Sequence, residues 1–276
     1  MNIERNIMLT VDKRMQEIAF YLVDAFSDAA FSGNPAAVCP LPAWLPDETL
    51  LRMTQQHNQS ETAFFVRDKA GIELRWFTTQ GEVNLCGHAT LATAWVLFNE
   101  MGYPDPHIHF ETASGRLTVT RDGDWLTLDF PACPTEPQTP PPEMLRALGI
   151  QTYVEARKGR AWLLVLENRQ QVEAVKPDIN AMTPGEHKVS ITARGEGEYD
   201  FVSRFFSPGV ALWEDPVTGS AHTMLIPYWS EKLAKTSLFA RQVSARGGEL
   251  RCELKGDRVR MSGRASLYMK GHLFLR

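Results

Sequence analysis

The sequence predicts an α+β protein of two pseudo-symmetric lobes, each a curved, mostly antiparallel sheet or barrel wrapped around one central buried helix. Three observations lead there. One device occurs twice: Phe77-Thr78-Thr79 then Cys86-Gly87-His88-Ala89-Thr90, and Phe206-Ser207-Pro208 then Thr218-Gly219-Ser220-Ala221-His222. In both copies an aromatic strand-like segment, a turn, a Gly and a small polar residue lead into an apolar run. The first run is apolar almost all round and the second largely so, as buried helices are. Short strand-like segments fill the rest, without the strict β-α-β-α alternation of a parallel doubly wound sheet. A sheet rolled around each helix would cover it on all sides.

In chain order, residues 18–26 are apolar and strand-like. Ser32-Gly33-Asn34-Pro35 is a turn, followed by the short apolar segment 36–39. Residues 47–57 have helical composition, with Pro46 suited to a first turn. Residues 62–66 and 73–77 read as strands, and 87–100 as the first buried helix. Three strands follow at 107–111, 117–120 and 125–130, separated by Ser114-Gly115 and Asp122-Gly123. After a proline-rich stretch come strands near 153–156, 161–166, 188–193 and 199–206. The second buried helix is expected over 220–235, with Pro227 kinking it or ending a short first segment. Strands around 242–245, 250–254, 258–262 and 265–270 close the chain.

The expected organisation is an extension over 1–15, a first lobe over 16–131, a linker over 132–142 and a second lobe over 143–276. The last strand is free to return to the first lobe. The linker is placed where prolines crowd among few apolar residues.

The 276 residues carry a formal net charge of −4, and 43% are hydrophobic and 22% charged. This is a globular balance, and the basic residues do not cluster, so a general nucleic-acid or membrane-surface binder is not expected. Cys39, Cys86, Cys133 and Cys252 are scattered without ligand spacing, which indicates neither a disulfide framework nor a zinc site. A cytoplasmic protein is the default expectation. The first 15 residues lack the apolar core of a signal peptide, and no apolar run is long enough to span a bilayer. No P-loop, GxGxxG or metalloprotease motif occurs, so no nucleotide, flavin or metal cofactor is expected.

Two helix N-termini facing one cleft would present free backbone N–H groups and two positive dipole ends, a site for a small carboxylate. Glu61 stands at the entry to an apolar strand, where partial burial makes it a usable general acid/base; a capping or solvent-facing Glu is the plainer alternative. Asp215 either caps the second helix or holds a substrate amine. His88 lies at a helix start, which favours a neutral imidazole over a cation. Cys86 is either an inert buried thiol or a thiolate stabilised by the helix N-terminus. Its counterpart is Thr218, so a symmetric pair of thiols is unavailable. Ser220 and His222 lack a nucleophile elbow around them, which disfavours a hydrolase triad.

At these residues the chain resembles the PhzF-like isomerase family, which shares the diaminopimelate-epimerase fold. The matching segments are Val23-Asp24-Ala25-Phe26 with Gly33-Asn34-Pro35, Ser60-Glu61-Thr62-Ala63-Phe64, Cys86-Gly87-His88-Ala89-Thr90, Phe110-Glu111-Thr112 with Gly115, and Glu214-Asp215-Pro216-Val217-Thr218-Gly219-Ser220-Ala221. They run in family order from about residue 16. The resemblance implies cofactor-independent proton transfer on a small carboxylate-bearing, amino-acid-like substrate. Glu61 matches the family's acid/base, His88 and Asp215 its site-lining partners, and Gly87, Gly219 and Ser220 its carboxylate-holding amides. Asn34 is grouped with the substrate-binding residues. The alternatives are a racemase or dehydratase using Cys86 and a non-catalytic binding protein on the same scaffold. A homodimer is expected on general frequency.

Overall fold

A computed structural model of the chain describes residues 15–209 and 213–276. The expected extension over 1–15 lies outside these, Met15 excepted. The first half forms β1 (Gln16–Ala25), β2 (Asn34–Leu41), α1 (Asp47–His57), β3 (Thr62–Arg67), β4 (Ile72–Thr78), β5 (Gly81–Val83), α2 (Gly87–Asn99), β6 (His107–Thr112), β7 (Gly115–Asp122) and β8 (Trp125–Pro131). The second forms β9 (Glu136–Pro137), α3 (Pro142–Leu148), β10 (Glu155–Lys158), β11 (Trp162–Val165), α4 (Arg169–Ala174), β12 (Val189–Arg194), β13 (Phe201–Phe206), β14 (Glu214–Asp215), α5 (Gly219–Leu233), β15 (Ser237–Gln242), β16 (Gly248–Lys255), β17 (Arg258–Gly263) and β18 (Ala265–Leu275).

The pairing shows the duplication. Most neighbours are antiparallel, and the parallel pairs fall at equivalent places. In the first lobe α1 carries the crossover between β2 and β3, and α2 the one between β4 and β6. In the second lobe α4 lies between β11 and β12, and α5 between β13 and β15. Parallel neighbours need such crossovers because a tight turn cannot join them. The two sheets are joined where β8 pairs with β17. β18 leaves the second lobe and pairs antiparallel with β1.

Both central helices are buried as expected. In α2, Leu91, Ala92, Ala94, Val96 and Leu97 have no exposed surface, and in α5 Leu225 and Ile226 have none. Each large apolar side chain so buried contributes roughly 1.5–3 kcal/mol, so packing rather than helix propensity holds these segments. They share one core with the inner faces of both sheets. The outer face of the first sheet packs on α1, and that of the second on α3 and α4.

The structure corrects three expectations. Pro227 does not end a first segment, since α5 runs through it as one helix. Proline removes the N–H that would reach the Thr223 carbonyl, and that oxygen accepts instead from the Cys133 N–H at 2.9 Å. The strand expected over 242–245 is β15, which ends at Gln242; residues 243–247 turn the chain into β16. The second lobe also carries α3 and α4 besides its central helix, both too short to show a period. The stretch expected as a linker is tied down: the Ala132 N–H donates to Asp257 O at 2.8 Å, β9 pairs with β10, and Pro142 opens α3. Among the described residues no helix is long and apolar enough to cross a membrane.

Candidate active site

The site is where the two central helices begin. Cys86 is the N-cap residue of α2 and Thr218 that of α5, both extended in backbone and neither capping through its side chain. The equivalence read from the sequence therefore holds in space. The first helical bonds run from Thr90 N–H to Cys86 O and from His222 N–H to Thr218 O, so the preceding N–H groups have no intrahelical acceptor. Gly87 and Gly219 meet face to face: a Cβ on Gly219 would lie 3.7 Å from Gly87 Cα, and one on Gly87 3.8 Å from Gly219 Cα. Two positive helix ends thus converge on one small cavity of about 220 Å³, bordered by Glu61, Cys86, Gly87, His88, Arg160, Asp215, Gly219 and Ser220.

Glu61 reaches the cavity because α1 ends in a left-handed cap at Asn58, and the chain then turns back through Ser60 into β3. The first four residues of β3, Thr62 to Phe65, are buried, which fixes its register and leaves Glu61 at its mouth. The Glu61 side chain is 22% exposed, with Oε2 at 3.4 Å from His88 Nε2. Ser60 Oγ lies 3.3 Å from the same nitrogen, and Cys86 Sγ 3.4 Å from Nδ1. Burial lowers the His88 pKa while the Glu61 charge opposes that shift, so the imidazole is neutral at pH 7. A carboxylate only accepts hydrogen bonds. The tautomer that satisfies both sides has its proton on Nε2 facing Glu61, with Nδ1 accepting the Cys86 thiol.

Burial and the Glu61 charge push the Cys86 thiol well above its usual pKa, with Asp215 adding to the rise and the Ala89 and His88 N–H groups opposing it. The helix N-terminus is outweighed, and the thiol stays protonated. This counters the thiolate entertained from the sequence.

Asp215 ends β14 opposite Phe205. Its neighbour Glu214 is engaged by Arg204, with Nε–Oε1 at 2.7 Å, which leaves Asp215 as the carboxylate facing Glu61. Burial, then the Glu61 charge, raises its pKa to about 7; hydrogen bonds from Thr218 and Asn34 oppose the rise. Asn34, grouped with substrate-binding residues from the sequence, is fully buried behind Asp215. Its Nδ2 donates to Asp215 Oδ1 at 2.6 Å and to Val217 O at 2.9 Å, so it positions the carboxylate. Gln242 escaped the sequence analysis. Fully buried at the end of β15, it accepts from Thr218 N–H at 2.9 Å and donates to Asp215 O at 2.6 Å. Nothing in its local sequence marks it, since its partners come from another element. Glu61, Cys86 and His88 also bring ligand atoms within 4.8 Å of one another, donors that a divalent ion accepts.

Asp215 gives a pH prediction. The folded state holds its proton up to about pH 7, whereas an unfolded Asp loses it near its ordinary value of 3.8. Its contribution to stability therefore falls as pH rises from about 4 to about 7. Asp215→Asn keeps an Oδ1 acceptor for Asn34 and removes the penalty. Urea denaturation is expected to find the variant more stable than wild type at pH 8, on the order of a few kcal/mol, and not at pH 4. A variant equally or less stable at pH 8 contradicts the assignment.

Two lobes wrapped around paired helices, with carboxylates at the meeting N-termini, make an epimerase-like fold. Comparison with known proteins makes the class specific: the chain belongs to the phenazine biosynthesis-like (PhzC-PhzF) family, whose pattern it matches over residues 23–271. An uncharacterized isomerase of Pseudomonas aeruginosa is 50% identical over 260 residues, covering 94% of this chain and 100% of the relative. The crystal structure of a PhzF-family phenazine biosynthesis protein from Enterococcus faecalis superposes with a TM-score of 0.90 at 44% identity, covering 94% of this chain and 100% of that one. A hydroxyproline epimerase from Agrobacterium vitis, with 14% identity, a TM-score of 0.56 and coverage of 96% and 93%, shares the fold.

Proposed function

We propose that this isomerase moves a carbon-bound proton between carbons of a small carboxylate or amino-acid-like substrate, without a cofactor and with Glu61 as the acid/base. The observation that carries the reading is the meeting of two helix N-termini at Gly87 and Gly219 with Glu61 and Asp215 at their rim. The substrate carboxylate lies on the free N–H groups of both helices, including that of Ser220. Glu61 takes the proton from an adjacent carbon; the C–H electrons delocalise into the carboxylate, where the two dipole ends stabilise the added charge. The Glu61 carboxyl then returns the proton at another carbon of the conjugated system, which leaves the enzyme unchanged. His88 holds Glu61 in place through Nε2–H, and Asp215 receives a substrate amine. The same proposal places the protein in the cytoplasm as a homodimer acting on free small molecules, with no nucleic acid or membrane involved.

Proton NMR in D2O on a panel of small amino and cyclic unsaturated carboxylates tests this. Deuterium is expected to enter a carbon position with wild type and with Cys86→Ser. Loss of exchange in Cys86→Ser alone would move the base to the thiol, and binding without exchange across the panel would favour the binding-protein reading.

A further inference from the structure

The proposed chemistry needs one carboxylate, but the cleft offers more positive charge than one carboxylate uses. The small cavity at the helix ends opens into an outer cleft of about 620 Å³ between the lobes. Three cationic residues line that cleft: Arg160, Lys188 and Arg246. Arg246 is spent on structure, since its guanidinium contacts Asp24 Oδ1 at 2.7 Å, Gly33 O at 2.8 Å and Ser32 O at 3.0 Å. Arg160 and Lys188 differ. Neither side chain makes an ion pair or hydrogen bond with a described residue, and both are exposed.

Their placement is built into the sheet. Arg160 sits in the turn between β10 and β11. That turn is pressed onto α5: a Cβ on Gly159 would lie 3.0 Å from Thr135 Cγ2 and 3.3 Å from Met224 Sδ, so only glycine fits without displacing neighbours. Lys188 immediately precedes β12, and its carbonyl accepts the Trp162 N–H at 2.8 Å. β11 and β12 are parallel, with Trp162 beside Val189. Both cations therefore stand at the entry ends of adjacent parallel strands, on the same edge of the cleft. Arg160 also borders the inner cavity, whereas Lys188 borders the outer cleft alone.

We propose that Arg160 and Lys188 form a second anion subsite, so that the substrate is a dianion. One carboxylate would sit on the helix ends and a second anionic group, carboxylate or phosphate, between the two cations. This rests on the proposed carboxylate-holding role of the helix N-termini and adds the substrate class. Two unpaired cations on one cleft wall carry little desolvation cost until an anion arrives, and a charge-assisted contact to Arg is directional.

Calorimetric titration with pentanoate, glutarate and 3-phosphopropanoate tests it. Wild type is expected to bind at least one of the dianions about tenfold more tightly than pentanoate, a modest gain for an exposed pair, and the gain is expected to shrink in high salt. Which dianion gains more identifies carboxylate or phosphate as the second group. In Lys188→Gln, which alters the outer cleft alone, the gain is expected to shrink while pentanoate affinity is kept, and in the double variant Arg160→Gln with Lys188→Gln the gain is expected to vanish. Equal binding of mono- and dianions by wild type overturns the proposal, as does a gain that survives in the double variant. Equal weakening of all three ligands also overturns it, because Arg160 would then serve the first carboxylate. Repeating the titrations on Glu61→Gln separates the two readings. The gain is expected to persist there without turnover, so exchange that survives in this variant refutes only the base and a missing gain refutes only the subsite.

Discussion

Glu61→Gln is expected to lower turnover by about three orders of magnitude, the middle of the range for removal of a positioned acid/base, while substrate affinity changes only a few-fold. The side chain keeps its size and can still reach His88 Nε2, but an amide neither accepts the carbon-bound proton nor returns one. The inner cavity, the two helix ends and Asp215 stay as they are, so binding survives. Single-turnover exchange in D2O together with calorimetric affinity separates the effects. A variant that still exchanges at a tenth of the wild-type rate would exclude Glu61 as the base, and one that loses binding in proportion would make it a binding residue.

Gly33→Ala is expected to cost about 3 kcal/mol of stability, or roughly 10 °C in Tm for a chain of this size. Gly33 has φ 70°, a left-handed backbone that costs an L side chain about 1–2 kcal/mol. Its position is also closed. An added Cβ would run into the Ala25 carbonyl oxygen and press on Ser27 Cβ, and the first is backbone that cannot rotate away. Moving the turn breaks ties between lobes, because the Gly33 N–H donates to Gly247 O at 2.7 Å and its carbonyl accepts from Arg246 Nε. Asn34, next in the chain, would lose its aim at Asp215. Gly123→Ala is the control: Gly123 has φ 58° with nothing within 4 Å of a Cβ, so only the backbone term of about 1 kcal/mol remains. Equal losses in the two variants, measured by urea denaturation, would refute the steric part of the argument.

The duplicated architecture was legible because its signal is long and local. The run after Gly87 is apolar almost all round and the run after Gly219 largely so, the composition of a buried helix. Helix α1 was legible from Pro46 and from the helical composition of residues 47–57. Features that depend on a distant partner were not legible. The continuity of α5 through Pro227 depends on the Cys133 N–H, which the fold brings to the Thr223 carbonyl. The segment after Gln242 has a strand's composition, yet Ser244 and Arg246 take up bonds to Pro216 O and Asp24 that hold it as a turn. In the site, Glu61, His88 and Asp215 were visible through their motifs, and the structure brings them around one cavity. The state of Cys86 was not visible, because it depends on Glu61 and Asp215 standing close by, which helix position alone does not reveal. Asn34 was visible as a motif residue, but its inward orientation came only with the packed turn.

The return of β18 to β1 bears on how the halves can be handled. A duplicated gene product invites the idea of two autonomous modules, obtainable by cutting near the proline-rich stretch. Here that cut would not yield them. The amino-terminal fragment would lack the strand that covers β1 from Gln16 to Ala25, and the carboxyl-terminal fragment would keep that strand with nothing to lie against. Each fragment would expose a long unpaired edge, an invitation to aggregation. Mixed together, the fragments carry complementary edges at two seams, β1 with β18 and β8 with β17. The protein is thus suited to split-reporter reconstitution, in which recovery of the site signals reassembly of the two pieces.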